Sequence, residues 1–153
     1  MTREYRLAKR AQAQEETRER IVRATMALHG EKGVATTTYA DVAERAGVGP
    51  ATVYRHFPTP GALVEACGAH VWEMIEPPRP ERAAAIFAGL TSPRARLERL
   101  VQELDDFYER GAAPLWSAEQ DRNRIAELEV FHNKVDEGVA AMATAALGMD
   151  ARP

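Results

Sequence analysis

The chain has 153 residues, 45% of them hydrophobic and 28% charged, with a formal net charge of -3. A chain of that length can bury about 70% of its unfolded surface, and no apolar run approaches the roughly 18 residues needed to cross a bilayer, so a soluble protein without a membrane partner is expected. The single cysteine, Cys67, excludes an internal disulfide, and the charged opening MTREYRLAKRAQAQEETRER lacks the apolar centre of a secretory signal, which together point to a reducing cytoplasm.

The charge is unevenly spread along the chain. Up to Pro58 ten Lys/Arg face seven Asp/Glu, a net +3, whereas from Thr59 onward ten face sixteen, a net -6. Within the first ten residues Arg3, Arg6, Lys9 and Arg10 are opposed only by Glu4, a density that suits either a polyanion or a solvated helix end.

No segment alternates with period two over a useful length, while several repeat at helical spacing, so the chain reads as all-α. Ile21, Ala24, Ala27 and Leu28 form the stripe of a first helix that has no breaker over residues 5–20 and is stopped by Gly30 and Gly33. The threonines 36–38 suit an N-cap for the run YADVAERA, a short second helix stopped by Gly47. Gly49 and Pro50 then open a third short helix, with proline at the first position, where its missing N–H costs nothing. Phe57-Pro58 closes it, and Thr59-Pro60 restarts a fourth helix whose face carries Leu63, Cys67, His70, Val71 and Met74 until PPRP at 77–80.

Further on, Ala83 to Leu90 is expected to form a short helix. Pro93 starts a longer one with Leu97, Leu100, Val101, Leu104, Phe107 and Tyr108 on one face, and Gly111 is expected to end it. Ser117-Ala-Glu-Gln120 reads as a capping box opening the last helix, whose seam of Ile125, Leu128, His132, Val135, Val139, Met142, Ala146 and Met149 could pack inside the subunit or against a partner.

The stretch AGVGPATVYRHF, residues 46–57, raises the choice between a phosphate loop and a helix turn. A phosphate loop follows a strand and carries GxGxxG in full, whereas here a helix precedes Gly47 and Thr52 stands where the third glycine belongs. Two short helices crossing steeply need small and apolar residues at fixed offsets, and Val42, Ala43, Ala46, Gly47, Val48 and Val53 supply them. The second helix then turns Pro50, Ala51, Thr52, Tyr54, Arg55 and His56 outward, a polar, aromatic and non-acidic face that suits a DNA groove and its phosphates.

Residues 17–63, TRERIVRATMALHGEKGVATTTYADVAERAGVGPATVYRHFPTPGAL, resemble the DNA-binding domain of TetR-family transcriptional regulators over about a third of the chain. The resemblance implies a helix-turn-helix domain followed by a C-terminal helical bundle, here shorter than the family's usual length. It also implies a homodimer, a palindromic double-stranded operator, and a small-molecule effector that releases the DNA. Carried across, it makes Thr38 a helix cap and phosphate contact, places Gly49, Pro50, Ala51, Thr52 and Tyr54 at backbone and groove, and gives Arg55 a base or phosphate and His56 a phosphate. Gly49, Ala51 and Pro60 depart from the family pattern, which often has serine, glycine and a lysine or arginine there. Loss of a charge at Pro60 should soften the salt dependence by about one unit per half-site, and the arm of Arg3, Arg6, Lys9 and Arg10 would compensate from a neighbouring groove. The expected organisation is an arm or helix extension over 1–16, the DNA-binding domain over 17–58 and an effector-binding and dimerisation domain over 59–153.

In that last domain Trp72, Phe107, Trp116 and Phe131 are the expected ligand neighbours, as aromatics offer stacking surface. Without a convergent charged cluster the effector is expected to be apolar or weakly polar. Leu128, Val135, Val139 and Met142 are the expected dimer contacts. No histidine pair has metal-ligand spacing, so no metal or cofactor is expected; His70 and His132 read as core histidines, and Cys67 as a small hydrophobe. GxSxG, CxxC and HExxH are absent and the adjacent carboxylates point to different sides of their helices, so no enzyme is expected. The alternative to a repressor is a helical interaction module of the same fold that has lost specific DNA binding.

Overall fold

The computed structural model describes residues 3–148, which form helices joined by short turns, with no strand among the described residues. In order these are α1 (Arg3–Lys32), α2 (Tyr39–Ala46), α3 (Pro50–His56), α4 (Pro60–Ile75), a 3-10 turn at Pro80–Arg82, α5 (Ala83–Ile86), α6 (Pro93–Asp121) and α7 (Ala126–Ala146). The fold is therefore all-α, with two compact units that divide after Cys67, inside α4.

In the first unit α1 contributes Ile21, Val22, Ala24 and Leu28 to a core completed by Val42, Ala43 and Ala46 of α2, Val53 of α3, Phe57, and Leu63 and Cys67 of α4. Thr25, at the centre of this stripe, is fully buried and donates its hydroxyl to the Ile21 carbonyl at 2.8 Å, so burial leaves it satisfied. The N-terminal half of α1, residues 4–16, is exposed throughout, so helix continuity rather than packing organises it.

Charged clamps tie α2 to the end of α1. The Arg45 guanidinium donates to both oxygens of Glu31 at 2.7 Å, and Lys32 Nζ donates to Asp41 Oδ2 at 2.5 Å. Hydrogen bonding from Arg45 holds the Glu31 carboxyl below the ordinary carboxylate range, and that from Lys32, then from Thr38, holds Asp41 well below it.

Gly47 lies at φ 63°, ψ 42°, left-handed, and its N–H bonds back to the carbonyls of Ala43 and Glu44. A Cβ at Gly47 would meet nothing within 4 Å, so the need for glycine is conformational rather than steric. Gly47→Ala should therefore cost about 1 kcal/mol through the backbone alone, read as a lower urea midpoint with an unchanged slope.

In the second unit Ala83, Phe87, Leu100, Met142 and Ala146 form a core between α5, α6 and α7. Arginines close the helix ends. Arg96 donates to the carbonyls of Ala146 at 2.8 Å and Ala145 at 2.6 Å, and Arg110 donates to those of Ile75 at 3.2 Å and Glu76 at 3.5 Å, where Glu76 turns left-handed at φ 46°.

Two expected boundaries are corrected. α6 runs through Gly111 and Pro114 to Asp121, so Gly111 does not end a helix and Ser117 does not open one. Gly111 is buried, and a Cβ there would lie 2.7 Å from Leu115 Cδ1 and 3.6 Å from Ile75, so it serves close packing. The chain breaks instead at 122–125, where the N–H groups of Arg124 and Ile125 fold back on the Asp121 carbonyl at 2.9 and 3.2 Å. Ser92, which is not among the caps expected from the sequence, closes the start of α6 by accepting the Ala95 N–H at 3.1 Å.

Candidate nucleic-acid interface

α2 and α3 form the site, and its frame starts at the α2 cap. The Thr38 hydroxyl accepts the Asp41 N–H at 3.2 Å, while the Thr38 N–H donates to Asp41 Oδ2 at 2.8 Å, a reciprocal capping box. The same hydroxyl donates to Asp41 Oδ2 at 2.6 Å, so its proton is committed inside the box and would have to swing away to reach a phosphate.

α3 starts without a side-chain cap, because Gly49 has none to offer and Pro50 needs no partner for a missing N–H. Val53 is fully buried and sets the helix rotation. Pro50, Ala51, Tyr54 and Arg55 are thereby exposed, whereas Thr52 and His56 lie on the flanks, half-buried. Arg55 has no ion-pair partner among the described residues, and Tyr54, 56% exposed, still rests on the Tyr39 ring at 4.5 Å between centroids. Tyr39 in turn donates its hydroxyl to the Phe57 carbonyl at 2.7 Å, tying the start of α2 to the end of α3. The ring pair and this hydrogen bond form one strap: it sets Tyr54 beside Arg55 on a rigid face, and burial raises the Tyr39 pKa.

His56 packs toward Phe57, whose ring also lies 5.2 Å from the Arg18 guanidinium. Burial, then the charges of Arg55 and Arg18, lower the His56 pKa below its ordinary value. The sign follows by linkage. Between the depressed native pKa and the unfolded value near 6.5 the unfolded chain binds more protons, so stability is full above that range and falls as the solution is acidified through it. The unfolding midpoint should drop between about pH 7 and 5, and His56→Gln should remove its share of that slope. His132 in the second unit, lowered chiefly by burial, adds a slope of the same sign.

Arg6, Lys9 and Arg10 are exposed on α1 and none pairs with a carboxylate among the described residues; the Arg3 side chain lies outside the described residues. These cations belong to a continuous helix, so the basic segment is an extension of α1 and not a separate arm.

In the second unit the expected residues do not converge. Phe107 is 1% exposed and belongs to the packed interior, Trp116 is 69% exposed, and Trp72 and Phe131 meet edge to face at 5.8 Å. None of the four lines the cavity of about 650 Å³ that the unit contains. That cavity is walled by Ala83, Ala84, Phe87 and Ala141, and among the described residues Arg96 and Thr144 are the only side chains on it with polar atoms. Of the expected dimer contacts, Leu128, Val135 and Met142 are buried within the chain and Val139 is half-buried. Met149 lies outside the described residues.

Of the two expected core histidines, His70 is exposed, whereas His132 is buried with Nδ1 3.4 Å from Glu119 and Nε2 without a hydrogen-bond partner among the described residues. Burial pushes the Cys67 thiol up to about 12, so it stays protonated and inert. No helix among the described residues is long and apolar enough to cross a membrane, and no cluster of three or more potential ligands that could hold a metal occurs among them.

Two short helices packed through alanine and valine, a left-handed glycine between them and an exposed Tyr-Arg face on the second define a helix-turn-helix unit. Residues 21–67 match the family model described as bacterial regulatory proteins, tetR family. Over those residues the chain is similar to the helix-turn-helix DNA-binding domain of TetR-family transcriptional regulators.

Among curated proteins it is similar to the HTH-type transcriptional repressor KstR of Mycolicibacterium smegmatis, 36% identical over 100 residues that make up 65% of this chain and 47% of that protein. The chain thus spans about half the length of this curated relative. A crystal structure of a TetR transcriptional regulator from Rhodococcus sp. RHA1 is similar at a TM-score of 0.40 and 23% identity, covering 91% of this chain and 73% of that one.

Proposed function

We propose that the chain is a transcriptional repressor that binds a palindromic operator as a homodimer and releases it when a small, mainly apolar effector enters the C-terminal unit. The observation that carries the reading is the α3 face, where Tyr54 and Arg55 stand exposed and unengaged by any carboxylate among the described residues while Val53 and the Tyr39 strap fix their direction. Groove recognition needs such a rigid, non-acidic face, and the repressor similar to this chain over 100 residues supports the direction of control. The cavity of about 650 Å³ lies within the size range of small-molecule sites, which supports an effector.

Arg55, Arg6, Lys9 and Arg10 would neutralise phosphates alongside any base contact. Affinity for duplex DNA, followed by fluorescence anisotropy as salt rises, is therefore expected to fall steeply, by about 0.9 log units per log unit of salt for each phosphate neutralised. Replacing Arg6, Lys9 and Arg10 together with alanine should flatten that slope by about two to three units per subunit if the extended helix touches DNA. An unchanged slope would confine the interface to α2 and α3, and affinity insensitive to salt in the unaltered chain would remove the DNA-binding reading.

A further inference from the structure

We infer that the cavity between α5, α6 and α7 is a binding site for an amphipathic carboxylate, an apolar chain or ring system ending in one anionic group, with Arg96 as its anchor. The inference rests on the effector reading of the second unit and supplies that effector's chemical class.

The wall comes first. Ala83, Ala84 and Ala141 line the space with methyl groups and Phe87 adds a ring, so most of its surface rewards apolar contact. Thr144, the one neutral polar side chain on the wall among the described residues, donates its hydroxyl at 2.9 Å to the Ala140 carbonyl, so that proton is unavailable to a ligand.

Arg96 differs. Its guanidinium spends Nε and Nη2 on the Ala146 and Ala145 carbonyls, and its Cζ lies 5.2 Å from the Phe87 ring centroid. Nη1 makes no hydrogen bond to any described residue, and no carboxylate among those residues lies within ion-pair distance of Arg96. A guanidinium offers five N–H donors in a planar fork, so the Nη1 side retains the donors that grip a carboxylate. The carbonyl bonds and the Phe87 contact hold the fork still, which lowers the entropic cost of using it. An ion in so apolar a surrounding favours an opposite charge that completes its hydrogen bonding.

The test uses the full chain and three probes that share one ten-carbon tail: decanoate, 1-decanol and decylammonium, titrated calorimetrically at neutral pH below their aggregation limits. Decanoate should bind about ten- to a hundredfold more tightly than decanol, the range of a charge-assisted hydrogen bond, and decylammonium should bind most weakly. Arg96→Gln should bring decanoate to within about threefold of decanol and leave decanol binding unchanged. Because Arg96 also closes α7 and its loss could loosen the unit, Ala84→Phe provides a second reading: this exposed wall position should tolerate a ring that fills the cavity and weakens decanoate and decanol alike. Equal binding of decanoate and decanol, a preference that survives Arg96→Gln, or no binding by any probe would overturn the assignment. Decanoate binding through Arg96 without any change in DNA affinity would keep the site and sink the effector reading. Release of DNA by another compound, indifferent to Arg96→Gln, would do the reverse.

Discussion

Arg55→Ala should weaken binding to the selected duplex by about 10- to 100-fold per site contacted, the effect of removing one bidentate base contact, with no loss of thermal stability. The second half of that expectation follows from the structure. Arg55 is exposed and forms no ion pair among the described residues. Tyr54→Ala differs in kind, because Tyr54 also rests on Tyr39, so its removal loosens the strap from α2 to Phe57 as well as deleting a contact. Binding should fall for both variants and stability for Tyr54→Ala alone. Were Arg55 only a phosphate contact, its loss would lower affinity for all sequences evenly and reduce the salt slope by about one. A base contact would instead relax the preference at one position of each half-site. Competition between specific and scrambled duplexes separates the two.

Phe107→Ala should cost the second unit about 3–5 kcal/mol, the range for deleting a fully buried aromatic side chain. At 1% exposure Phe107 is the largest fully buried side chain among the described residues, and its ring meets that of Tyr108 at 4.8 Å. The adjacent Gly111 and Leu115 are also buried on α6, and Gly111 is already crowded by Leu115, so little slack exists to collapse into the space left. The effect would appear as a fall in the near-UV signal and a lower thermal midpoint. Leu97→Ala, on the exposed side of the same helix, should change stability by about 0.5 kcal/mol or less. If Phe107→Ala were as mild, Phe107 would belong to a ligand surface rather than to packing.

The helix-turn-helix was legible because each of its boundaries is written in local chemistry. Thr38 caps, Gly47 supplies a left-handed turn, Pro50 starts and Pro58 stops, and the helices lie at Tyr39–Ala46 and Pro50–His56 as those signals imply. The outward set was legible in part: Val53 fixes the rotation, but Thr52 and His56 are half-buried, and His56 lies beside Phe57, whose ring the fold brings to Arg18 of α1.

The second unit was harder to read because its decisive contacts are distant in sequence. Gly111 carries the same letter whether it ends a helix or lies within one, and its neighbours are Leu115, one turn on in the same helix, and Ile75, thirty-six positions earlier. The break at 122–125 contains neither glycine nor proline and is made by N–H groups folding back on the Asp121 carbonyl. The seam of α7 had the right period, yet period cannot say which partner covers a stripe, and here Leu128, Val135 and Met142 are buried within the chain. Alanines that wall a cavity look in sequence like alanines that fill a core, and Arg96 looks like any solvated arginine until α7 brings its last carbonyls to it.

The most direct test of the central claim, that the α3 face reads DNA, is selection of bound duplexes from a random pool at near-physiological salt, run in parallel with the unaltered chain, Arg55→Ala and Tyr54→Ala. An enriched inverted repeat with the unaltered chain, relaxed or lost in both variants, is the predicted result. Failure of any sequence to enrich, or enrichment of the same sequence with all three proteins, would contradict it.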